Sequence, residues 1–127
     1  MKNYKLYTDV KQSRELAEIL SHKDADATLE RIVVAGGNLD IPEEQQYIRH
    51  NIPFCLFSGV GIPCWSLIAL IFIISENYYT EIYQDGAAWK IEVEHYNNTN
   101  DKHNTSADNH IDACVNMILK LHEQNLM

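Results

Sequence analysis

The clearest pattern along the chain lies between residues 78 and 95. Tyr78 to Gln84 and Ala87 to His95 flank Asp85-Gly86, a pair favoured in two-residue hairpin turns. That turn predicts a register in which Ile82 faces Trp89, Thr80 faces Ile91 and Tyr78 faces Val93, with Glu81 opposite Lys90. Apolar residues then gather on one face and opposite charges meet on the other. Glu92 and Glu94 alternate with the apolar positions of the second strand, which sets them on the solvated side.

Three stretches carry helical spacing. Val10, Leu16, Ala17, Ile19 and Leu20 form one apolar stripe, predicting a helix over about 10–20 with Thr8 or Asp9 as its cap. A second helix is expected over 63–74, opened by Pro63 in its first turn. A third is expected over 107–124, where Ile111, Cys114, Val115, Ile118 and Leu121 share one side and Ser106 stands at the cap position. Tyr4 to Tyr7 alternate and suggest a short first strand. Asp24 to Ala27 reads as a polar connection. Glu30 to Ala35 reads as a strand that turns at Gly36-Gly37-Asn38 and returns over 39–41. Pro42-Glu43-Glu44 suits the start of a short helix, and residues 97–105 read as a polar loop.

The segment from Asn51 to Ser75 has no charged residue. Pro53, Gly59, Gly61 and Pro63 interrupt its first half, and Cys64 to Ile74 is shorter than the roughly 20 residues a membrane helix needs. It is therefore expected to be a core helix. Because that helix is apolar on every side, one face can lie on a sheet while the other needs a second helix or a second subunit.

The predicted fold is a single α+β domain spanning 1–127: an antiparallel sheet that includes the 78–95 hairpin, packed by helices near 10–20, 63–74 and 107–124. A chain of 127 residues suits one such domain. Its 18 acidic and 10 basic residues leave a net charge of −8. No basic cluster stands out, which argues against ordinary nucleic-acid binding. The opening residues do not read as a secretory leader. The three cysteines, Cys55, Cys64 and Cys114, sit among apolar neighbours and are expected to be reduced core residues of a cytoplasmic protein.

Candidate chemistry is sparse. His110 and Cys114 are four positions apart on the expected last helix, with Asp108 and Asp112 nearby. The two residues lack the further ligands of a metal site. Cys64 near a helix start would be a stabilised thiolate, yet it stands between Pro63 and Trp65 in an apolar run that favours an inert thiol. Glu92-x-Glu94 and Glu43-Glu44 read as sheet surface and helix-start chemistry rather than a convergent acid pair. Gly59-Val60-Gly61 lacks the lysine and hydroxyl of a phosphate loop and reads as backbone freedom. The seven tyrosines suit half-buried strand surfaces or protein contacts. No catalytic, cofactor-binding or metal-ligating residue is assigned.

Leu6-Tyr7-Thr8-Asp9-Val10 with Gln12-Ser13, then Ile62-Pro63-Cys64-Trp65-Ser66-Leu67, then Ser106-Ala107-Asp108-Asn109 running into Asp112 to Val115 and Met117 to Leu121 together resemble a family of small uncharacterised proteins encoded by Bacteroidetes, their prophages and their phages. The apolar stretch 52–61 departs from that pattern in length, and Ile71 to Ile74 in apolarity. The resemblance implies a mobile-element context and no activity. The expected function is a non-catalytic binding or accessory protein acting through protein contacts, including a homo-oligomer through the 63–74 helix, with no cofactor, nucleic acid or membrane involved. The alternatives are an acidic nucleic-acid mimic that occupies a host protein, and a small hydrolase or metal-binding enzyme.

Overall fold

The computed structural model describes residues 5–32 and 41–127. Among these residues, three α-helices and two antiparallel three-stranded sheets make the chain α+β, the class expected. Thr8–Ser66 forms one compact unit. Leu67–Met127, with the residues just before Thr8, forms another.

The first unit holds α1 (Val10–Ala17), β1 (Ala27–Arg31), β2 (Tyr47–His50) and β3 (Ile62–Cys64), in the sheet order β2-β1-β3. Asp9 caps α1: its carboxylate accepts the Gln12 N–H at 2.8 Å, while the Gln12 side chain accepts the Asp9 N–H at 3.1 Å. The helix stops at Ala17, short of residue 20. Ser21 is already extended there, and its hydroxyl accepts the Lys23 N–H to begin a separate 3-10 turn.

Several expectations in this unit are corrected. The polar connection at 24–27 is the entry to β1, with Ala25 and Ala27 buried and Asp26 accepting the Ser66 N–H at 2.8 Å. Pro63 and Cys64 lie in a strand rather than a helix. β3 is an edge strand, where a residue without an N–H is tolerated, and Pro63 stands opposite Thr28. A Cβ at Gly61 would lie 2.6 Å from Thr28 Cγ2 and 3.0 Å from the Leu29 carbonyl oxygen, so glycine lets β3 approach β1. The Gly36-Gly37-Asn38 turn and most of the 39–41 return lie outside the described residues, as does Tyr4. Of the expected 4–7 strand, Tyr7 makes a lone bridge.

The second unit holds α2 (Leu67–Ser75), β4 (Tyr78–Asp85), β5 (Ala88–His95), β6 (Asn98–Ala107) and α3 (His110–Glu123), with the sheet order β4-β5-β6. α3 packs on β5 and β6, and α2 packs on α3 and β4. Ile91, Val93 and Tyr78 line the buried face of the sheet against Ile111, Cys114, Val115, Ile118 and Leu121 of the helical core. Asn109, not Ser106, caps α3, its Oδ1 accepting the Asp112 N–H at 2.9 Å.

The 78–95 hairpin is present with a different register. Its turn residues are Gly86 and Ala87, so Ile82 pairs with Ile91, Thr80 with Val93 and Glu81 with Glu92. Gly86 alone takes a positive φ, +64°, the requirement at the first central position of a II′ turn. A turn at Asp85-Gly86 would have put the aspartate in that region. The slide is two residues, so every side chain keeps its face. Lys90 meets Asp85 at 3.1 Å instead of Glu81.

Of the polar stretch expected as a loop at 97–105, all but Asn97 lies inside the ten-residue strand β6. Its inward positions are polar but satisfied. Thr105 donates to the Ala113 carbonyl at 2.8 Å, and Asp101 and His103 bond each other. No helix among the described residues is long and apolar enough to cross a membrane.

Candidate functional site

The residues singled out for chemistry do not assemble. Cys114 is fully buried on α3, and burial pushes its thiol up to about 12. His110 packs its ring 5.3 Å from that of Trp89, with Nδ1 buried and unbonded. Asp112 accepts from Lys5 Nζ and from Asn109 Nδ2, each at 2.8 Å. No group of three or more His, Cys, Asp or Glu residues among those described is arranged to hold a metal ion.

Cys64 is fully buried, and desolvation raises its thiol pKa, with hydrogen bonding to Thr8 and Ser13 acting weakly the other way. It belongs to a buried polar latch. Thr8 Oγ1 accepts the Trp65 N–H at 3.1 Å and meets Ser13 Oγ at 2.8 Å, while Cys64 Sγ donates to the Thr8 carbonyl at 3.4 Å. The Thr8–Ser13 and Cys64–Trp65 stretches quoted for the resemblance thus meet as a structural clasp.

Glu43 and Glu44 open a short 3-10 helix, Glu43–Gln46, as expected after Pro42, and their carboxylates also serve α1. Glu44 accepts the Val10 N–H at 3.0 Å, and Glu43 pairs with Arg14 at 2.7 Å. Glu92 and Glu94 lie on the open face of the sheet, as expected. There they line a shallow concavity of about 540 Å³ with Tyr79, Glu81, Lys102 and Asn104. Tyr83 donates to Glu92 at 3.0 Å, and Lys102 pairs with Glu94 at 3.4 Å.

The feature without a structural explanation is apolar. On α2, Ala69, Leu70, Ile73 and Ile74 are buried, while Ile68 and Phe72 are 65% and 69% exposed. These two stand one turn apart on one side of the helix. At the C-terminal end of that helix the Ser75 carbonyl accepts the Tyr96 hydroxyl. Tyr96 in turn packs edge-on against Tyr79, ring centroids 4.4 Å apart. Tyr79 and Tyr96 are 62% and 41% exposed. Two aliphatic or aromatic side chains and a tyrosine pair therefore lie outward on and beside a helix that carries no charge.

Beside the tyrosine pair, four side chains converge from three strands. Asp101 Oδ1 meets His103 Nε2 at 2.5 Å, Oδ2 accepts the Tyr78 hydroxyl at 3.0 Å, and His95 packs edge-on against Tyr78 at 5.3 Å. The pairing of β5 with β6 shifts between Glu94 and His95, so that Asp101 lies in a bulge of β6. Burial pushes the Asp101 carboxyl up, but hydrogen bonds from His103 and Tyr78 outweigh it and leave the pKa lowered. Burial and the bond to Asp101 raise the Tyr78 hydroxyl to about 12. The individual residues gave no warning of this cluster, because the strand carrying Asp101 and His103 has no apolar alternation.

No family model matches this chain, and no curated protein or solved structure matches it.

Proposed function

We propose that this protein is a non-catalytic binding or accessory protein, cytoplasmic and of phage or prophage origin, that works by docking another protein on the outer face of α2. The origin rests on the sequence resemblance alone. The outward pair Ile68 and Phe72 carries the docking reading. A helix of this hydrophobicity is expected to be covered on all sides. Burying each of those side chains at a contact would contribute about 1.5–3 kcal/mol before association costs. Tyr79 and Tyr96 extend the surface with the residue type enriched at protein contacts. The partner is a protein, a second copy of this chain included. The mimic reading has less support, because Lys90 and Lys102 interrupt the acids of the open sheet face and pair with Asp85 and Glu94. A hydrolase or metal enzyme has no assembled group among the described residues to support it.

Phe72→Glu tests the reading, since a charge at so exposed a position leaves the fold intact. The variant is expected to lose association, with itself in sedimentation across a concentration range and with host protein in affinity capture. Association undiminished in the variant would overturn the proposal.

A further inference from the structure

We infer that His95 is a proton-operated switch for the 96–97 turn, and so for the position of Tyr96. His95 Nδ1 accepts the Asn97 backbone N–H at 3.1 Å. That bond exists only while Nδ1 carries no proton, because both nitrogens of an imidazolium are donors. Protonation therefore turns an acceptor toward a donor, and the turn loses its hook. The Asp101 carboxylate lies close enough for its charge and that of His95 to act on each other.

The turn carries Tyr96. Its N–H donates to the Asn77 carbonyl at 3.2 Å, its hydroxyl to Ser75, and its ring rests on Tyr79. Unhooking Asn97 loosens the segment that sets this ring. The groups that face His95 are Tyr78 from β4 and Asp101 from β6, with His103 on the Tyr78 ring and bonded to Asp101. α2 has no titratable side chain, and Glu76 beyond it is exposed. On α3, His110 packs at a tilt against Trp89, Asp112 is held by Lys5, Lys120 donates to the Asn104 carbonyl, and His122 and Glu123 are exposed. The consequence for partner docking, a contact surface that changes between pH 8 and 5, rests on the function proposed above. The switch itself does not.

Residue-resolved NMR of the isolated full chain between pH 8 and 5 tests it. The Asn97 amide and the Tyr96 ring resonances are expected to move with the same midpoint as the His95 ring. His95→Asn keeps an uncharged acceptor near the Nδ1 position and is expected to abolish both shifts, whereas His103→Asn leaves them in place. Flat Asn97 and Tyr96 resonances while His95 titrates would overturn the switch, as would equal movement in His95→Asn. These signals are read without a partner, so failure of the docking proposal leaves them unchanged.

Discussion

Asp101 and Tyr78 illustrate how a single residue's surroundings fix its charge. The carboxylate is held ionised by His103 and Tyr78, so its folded pKa lies below its unfolded value. Its stabilising contribution is present above the unfolded value, about pH 4, and is lost as pH falls through the folded pKa. Tyr78 works in the opposite sense. Its folded pKa is raised to about 12, so its contribution is present below about pH 10 and is lost as pH rises toward 12. Urea unfolding across pH is expected to show Asp101→Asn with a shallower acid loss than the native chain, and Tyr78→Phe with a shallower alkaline one. At this scale the sequence was partly readable. Cys64 and Cys114 are buried, as their apolar neighbours implied, and burial raises both thiols, whereas Cys55, expected in the core on the same ground, is exposed. The Asp101 cluster was not readable, because it joins Tyr78 and His95 to a strand, β6, that the sequence did not mark as one.

The elements were legible where local chemistry acts alone. α1 begins where Asp9 offers a cap and a capping box with Gln12, and α3 follows its apolar stripe. The hairpin was legible to its faces but not to its pairing. A period of two survives a two-residue slide, and the choice between Asp85 and Gly86 as first turn residue depends on which takes the positive φ. Gly86→Ala is expected to cost about 1–2 kcal/mol in urea unfolding by placing a side chain in that region. The strands that escaped detection have no apolar alternation. β2 reads Tyr-Ile-Arg-His at a sheet edge. β6 satisfies its inward groups by hydrogen bonds rather than by burial of hydrocarbon. β3 was absorbed into the expected helix because Pro63 suits a helix start and an edge strand equally, and only its pairing with Thr28 distinguishes them.

Across the molecule, the feature that carries the docking proposal is the outward apolar face of α2. The uncharged stretch through α2 announced itself in the sequence, together with the need for cover on more than one side. Which side stays bare was not readable, since a helix apolar all round has no periodic signal to tell its faces apart. The packing of α2 on α3 and β4 makes that selection, leaving Ile68 and Phe72 outward. The most direct measurement places a photo-crosslinking amino acid at position 72 in the native host, with position 116 on the exposed side of α3 as the control. A discrete covalent adduct to one protein from position 72, absent from position 116, is the predicted result. No adduct at 72, or the same adducts from both positions, would contradict the account.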